Sequence, residues 1–301
     1  MKLKPFWLPI CYGLLLIAFT AYVLLDTFVI GRVYAQITPT APPTLSTIPN
    51  TTDIPNVPVV TENTYEDNNI CITITEYREH DTAIYVADIR VSHAAFLKTA
   101  LAKNTYGRNI KQKTSEMAED NNAILAINGD YYGSREKGYV LRNGQLFREK
   151  GSSSRQDLVI WPDGNFEIIS EKNTAADTLL EQGAWQVLSF GPALVQNAQV
   201  CVDEDTEVGQ ATYSNPRTAI AMVDQLHYLM VVSDGRTDRS EGLSLYQLAG
   251  FLQKLGATTA YNLDGGGSST MWFNGRVINE PVNHGSTVSE RSVSDIVYIG
   301  Y

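Results

Sequence analysis

Between His227 and Trp272 the chain alternates in a way that admits few folds. "HYLMVVSDG" has the pattern of a buried strand, "SLYQLAGFLQKLG" of a helix, and "TTAYNLDGG" of a second strand. Ser244 can cap the helix and Gln247 can close a capping box, while Leu243 and Leu248 can form a hydrophobic staple. Leu245, Leu248, Ala249, Leu252 and Leu255 share one apolar face, and Gly256 stops the helix. If the two strands pair in parallel through that helix, Asp234 and Asp264 emerge at one end of the sheet. Ligands of open α/β sheets bind there.

The second of these strands runs into "YNLDGGGSSTMW". Ordered glycine costs backbone entropy, so a run of three implies a close approach of the backbone to something. Such a loop can present successive N–H groups to an anion such as phosphate. Ser268 and Ser269 add hydroxyl donors. Arg217 of "NPRT" and Arg236 of "SDGR" can grip phosphate oxygens with both arms of the guanidinium. Asp130 of "NGDYYG", Asp234 and Asp264 supply carboxylates for acid–base or nucleophilic work, and glycoside cleavage commonly uses two. Each feature alone has a plainer reading: an ordinary glycine turn, an Asx turn at Asn128, or a surface arginine.

Elsewhere "CITITEYR" and "TAIYVADIRV" alternate as strands around a turn at His80 and Asp81. Short helices are expected at 94–102, at "TSEMAEDNN" with Thr114 as N-cap, and near 175–182. Hairpins are expected at "RNGQ" and "PDGN", and "DIVYIGY" ends the chain as a strand. The fold class is therefore mixed α/β (α+β): mixed β-sheets flanked by helices in a single globular domain.

Lys2 and Lys4 precede the apolar run Phe6 to Ile30, which is long enough to span a bilayer. The positive residues favour a cytoplasmic N-terminus. Its length favours an uncleaved anchor over a signal peptide cut before Gln36. The expected organisation is a cytoplasmic tip and anchor over 1–35, a Pro/Thr-rich disordered stalk over 36–69 and a catalytic domain over 70–301. The protein would sit in the cell membrane as a single-pass chain, its catalytic domain outside the cytoplasm. Cys71 and Cys201, both in the outer part, could pair or stay free.

A net charge of −10 argues against a nucleic-acid partner. His80, His93, His227 and His284 are scattered without metal-ligand spacing, so neither metal nor cofactor is expected.

The ordered series "NGDYY", "PRTAIAM", "VVSDGR", "GLSLYQLAGFLQKLGATTAYNLDGGGSSTMW" and "RSVSDIVYIG" resembles the phosphodiester glycosidase family over roughly 71–301. The resemblance implies a hydrolase that removes a sugar, N-acetylglucosamine-like, from a sugar-1-phosphodiester. A cell-envelope or exopolysaccharide glycopolymer would be the substrate. It also implies a site at Asn128 and Asp130, at Arg217, at Asp234 and Arg236, and at Asp264 with Gly265 and Gly266. Two other readings compete. One is a binding module for phosphorylated glycans. The other is a metal-dependent phosphodiesterase cutting P–O, which would call for a His/Asp ligand cluster.

Overall fold

The structure, a computed structural model, describes residues 7–37, 57–152, 154–205, 214–284 and 287–301. Most of the expected stalk lies outside these residues. Helix Trp7–Phe28 is apolar and long enough to cross a membrane, and none of it is buried in the protein.

A nine-stranded sheet organises the rest. Its order is Gln199–Val200, Ala193–Gln196, Thr259–Asn262, Arg217–Asp224, His227–Ser233, Thr82–Val91, Ile70–Glu79, Thr64–Glu66 and Val59–Val60. Thr64–Glu66 pairs with Ile70–Glu79, so the sheet begins upstream of the boundary expected at residue 70. "TYE" contributes a single inward side chain, Tyr65, which is too short a pattern to stand out from its polar surroundings.

The strand–helix–strand unit is present, with one change. His227–Ser233 and Thr259–Asn262 do not pair with each other. Each pairs antiparallel with Arg217–Asp224, which lies between them. The two outer strands therefore run in the same direction, and Asp234 and Asp264 leave the sheet at the same end. Arg217 begins the middle strand at that end, opposite Ser233. Helix Leu245–Lys254 has the expected capping box, Ser244 accepting from Gln247 N–H and Gln247 accepting from Ser244 N–H. It buries Leu245, Leu248, Ala249, Phe251 and Leu252 against Leu194, Val195, Ala219 and Val231 on one sheet face.

The opposite face carries the main core. Ile72, Ile89, Tyr228 and Met230 meet residues of two five-stranded sheets there. The first runs Arg276–Val277, Met271–Phe273, Leu125–Asn128, Asp295–Ile299, Leu97–Leu101. The second runs Gln145–Arg148, Val140–Arg142, Gln186–Leu188, Gln156–Ile160, Phe166–Ser170. Both expected hairpins are in it.

Arg142 joins these two sheets. It is 2% exposed and reaches Asp130 at 2.8 Å and Asp295 at 3.0 Å, both fully buried. Buried cations need such partners, because an unpaired charge in the interior is far costlier than a paired one.

Two local expectations are corrected. Residues 94–102 are a short 3-10 turn, Ala94–Phe96, followed by strand Leu97–Leu101, because pairing with Asp295–Ile299 overrides the alanine-rich helix propensity. Thr114 is the first residue of helix Thr114–Asp120, with Lys113 in the N-cap position. Cys71 and Cys201 are both free thiols.

Candidate functional site

The site is built where the end of strand Leu125–Asn128 meets the loop after Thr259–Asn262 and the start of Arg217–Asp224. Asn128 is the connector. Its amide donates to the Asp264 carbonyl at 2.6 Å, and its carbonyl oxygen accepts from Thr218 Oγ1 at 2.9 Å and Thr270 N–H at 3.2 Å. Asp264 N–H donates to Gly129 O at 3.1 Å. The "NGD" and "DGGGSST" loops are thus one hydrogen-bonded unit, far apart in sequence.

The glycines allow close approach, but mainly to other parts of the protein. A methyl on Gly265 would lie 2.9 Å from the Pro216 carbonyl oxygen. Gly266 has a φ of +61°, and a methyl there would press on the Arg236 guanidinium. The expected row of outward N–H groups is not formed by this loop. Gly266 N–H donates to Pro216 O, Ser268 N–H to Gly265 O and Ser269 N–H to Gly266 O. The loop closes as a 3-10 turn, Gly266–Ser268, which uses these donors itself. These three donors are therefore taken, and side-chain cations surround the loop.

Those cations cluster. Arg236 is partly exposed, with its guanidinium held by Asn215 Oδ1 at 2.9 and 3.2 Å. Burial and the nearby Arg291 and Arg217 push it below the usual arginine range. Arg217 is buried and donates to the Leu243 carbonyl at 2.8 Å. Arg291 lies against Gly267 and donates to Asn283. Arg135 stacks over Phe190, 4.5 Å from its ring centre, and its charge also acts on Asp264. Arg291 and Arg135 were not singled out in the sequence. Their signal was position: Arg135 lies a few residues beyond "NGDYY", and Arg291 opens "RSVSDIVYIG".

Asp264 lies on the partly exposed rim of this group. Burial pushes its carboxyl up to about 6, against the opposing pull of the Ser268 hydroxyl, Arg291 and Arg135. Its Oδ2 has no hydrogen-bond partner, and neither do the buried hydroxyls of Ser269 and Thr270. Buried polar atoms are rarely left unpaired, and these lie together on one loop.

Asp234 is 5% exposed and is reached through Asn279, whose amide donates to Asp234 Oδ1 at 3.1 Å and to Ser269 O at 3.0 Å. Glu280 N–H also donates to Asp234, at 2.9 Å. Burial raises its carboxyl above the ordinary aspartate range, with Glu280 and Glu76 adding to the rise.

Asp130 is placed differently from the other two aspartates. Oδ2 accepts from Arg142 and from Ser189 N–H, both at 2.8 Å, and Oδ1 accepts from Tyr132 N–H at 3.1 Å. Burial opposes ionisation, but Arg142 and the Ser189 N–H hold this carboxyl low. Its carboxylate faces the buried ion-pair network, and its backbone leads into the site loop. Two non-glycine residues at the site, Tyr131 (φ 66°) and Arg236 (φ 62°), occupy the left-handed region, a strain of about 1–2 kcal/mol each.

Comparisons with known proteins bear on this arrangement. A family model described as phosphodiester glycosidase matches residues 121–300, which include every residue of the cluster. N-acetylglucosamine-1-phosphodiester alpha-N-acetylglucosaminidase of Mus musculus is 26% identical over 49% of this chain and 30% of its own length. YomE, an uncharacterized SPbeta prophage-derived protein of Bacillus subtilis (strain 168), is 27% identical over 65% of this chain and 31% of its own. The chain thus spans about a third of the length of these curated relatives. The zebrafish N-acetylglucosamine-1-phosphodiester alpha-N-acetylglucosaminidase catalytic domain, auto-inhibited by its pro-peptide, has a similar fold. It superposes with a TM-score of 0.62 at 22% identity, over 77% of this chain and 83% of that one. The matched span takes in the "NGD", "PRT", "SDGR" and "DGGGSST" loops and exceeds half the sequence, and on that basis the chain belongs to the phosphodiester glycosidase family.

Proposed function

We propose that the chain is a membrane-anchored hydrolase that cuts the C1–O bond of a sugar-1-phosphodiester and releases the sugar and a phosphomonoester. The observation that carries this reading is the pairing of unsatisfied acid and hydroxyl atoms on the Asp264–Thr270 loop with a surrounding cluster of arginines. A pure phosphate binder would lose affinity from carboxylates placed beside its arginines. An enzyme needs both.

Asp264 fits the role of proton donor to the bridging oxygen. The departing phosphomonoester has a second pKa near 6, and burial brings Asp264 up to about 6. Proton transfer between groups of matched pKa is the efficient case. Asp234 serves as the second carboxylate, oriented by Asn279 and the Glu280 N–H. Arg217, Arg236 and Arg291 offset the charge that develops on the phosphate. Asn128, Ser268 and Ser269 shape the loop that receives it, and Asp130 positions "NGD" through Arg142. Helix Trp7–Phe28 anchors the protein with this domain outside the cytoplasm.

Arg236→Lys tests the phosphate assignment, because lysine keeps the charge and loses the planar fork. kcat/KM should fall by about ten- to a hundredfold on a sugar-1-phosphodiester. An aryl glycoside lacking phosphate should change much less. Equal losses on the two substrates would remove Arg236 from the phosphate site.

A further inference from the structure

The chain that follows the apolar helix does not drift away from the domain. Only residues 29–31 separate Phe28 from strand Arg32–Gln36. That strand pairs antiparallel with Thr105–Arg108, with Arg32 opposite Arg108 and Ala35 opposite Tyr106. Gly107 lets the two backbones close up, since a methyl there would land on the Arg32 carbonyl oxygen. Ala35 and Ile37 then pack on a buried cluster of Leu101, Tyr106, Tyr132 and Val140. Tyr132 belongs to "NGDYYG", is 1% exposed and stacks on Tyr106 at 5.6 Å.

The end of the helix is fastened too. Asn109 donates to the carbonyls of Thr27 at 3.0 Å and Ile30 at 3.3 Å. Its own N–H donates to Gly133 O at 3.0 Å, two residues before Arg135. With at most ~3.5 Å per residue of chain, the Arg135 backbone lies within about 20 Å of the helix end.

We propose that this docked segment mounts the site at the bilayer surface, and that the substrate is a sugar-1-phosphodiester whose aglycone is a lipid in the same leaflet. The proposal rests on the glycosidase and anchor reading above. A lipid phosphodiester carries its phosphate at headgroup level, which a rigid, short mount matches. A soluble polymer would be served as well by a loose tether.

The test uses the full chain in liposomes and two substrates with the same sugar-1-phosphate, one on a bilayer-embedded lipid and one on a short water-soluble alcohol. A Gly/Ser insertion of about 15 residues between Ile30 and Gly31 frees the domain to wander over roughly 20 Å while leaving the strand pairing intact. The lipid rate is expected to drop by on the order of tenfold, through lost effective concentration, with the soluble rate unchanged. Equal lipid rates with and without the insertion would overturn the proposal. So would cleavage of the soluble substrate alone by the unmodified protein. Inactivity toward both substrates would overturn the glycosidase reading itself. Docking is checked separately by Arg32→Cys with Arg108→Cys. The facing positions allow a disulfide in the membrane-inserted protein, and its failure to form would also overturn the proposal.

Discussion

Asp264→Asn is expected to lower kcat on the phosphodiester by on the order of a hundredfold or more, the usual cost of losing a positioned proton donor. Stability should move the other way. The folded-state pKa of Asp264 is raised to about 6, well above the ordinary aspartate value, so ionising it in the folded protein is unfavourable. That penalty is absent below about pH 4, grows as pH rises towards 6 and is constant above. Asparagine does not ionise, so the variant should melt at the same or a higher temperature at pH 7. Wild-type kcat should fall as pH rises through about 6, because the acid form is lost, and the variant should lack that limb. A lowered melting temperature with the turnover spared would make Asp264 a structural cap. Paired melts and pH–rate profiles decide between the two.

Arg142→Met is expected to be the most damaging single change to the fold. It strips the cation from between Asp130 and Asp295 and leaves two buried carboxylates facing one another. Asp295 is already pushed up to about 7 by burial and by Asp130, with Arg142 holding it down. Breaking a buried pair from one side costs about 3–5 kcal/mol, which for a domain of this size lowers Tm by on the order of 10 °C. Combining Arg142→Met with Asp130→Asn and Asp295→Asn should recover much of the loss, since no charge then remains to be compensated. A thermal melt of the single and triple variants checks this. A triple variant no more stable than the single would refute the ion-pair account.

The two predictions differ in how visible their residues were in the sequence. Asp264 announced itself through three following glycines, and its companions Arg217 and Asp234 through their positions at strand ends. The capping box of Ser244 and Gln247 was legible because it is a local pattern with a fixed spacing. Arg142 was hidden, because "RNGQ" reads fully as a hairpin and nothing local says that its first residue is buried between two sheets. Strand Leu97–Leu101 was hidden for a similar reason. Its partner, Asp295–Ile299, lies at the far end of the chain, and the local alanines point to a helix. The common end for Asp234 and Asp264 was inferred correctly, although Arg217–Asp224 inserts between their strands. Direction survived because an even number of antiparallel steps restores it. The strand Arg32–Gln36 lay in a segment whose composition speaks only of anchor and stalk, so its docking beside Tyr132 required the fold.

The central claim is that this site breaks the bond between sugar C1 and the bridging oxygen. Hydrolysis of a sugar-1-phosphodiester in ¹⁸O-labelled water tests it most directly, with mass spectrometry of both products. The predicted result is label in the hydroxyl at C1 of the released sugar and none in the phosphomonoester. Label in the phosphate would mean P–O cleavage and would contradict the roles given to Asp264 and the arginines.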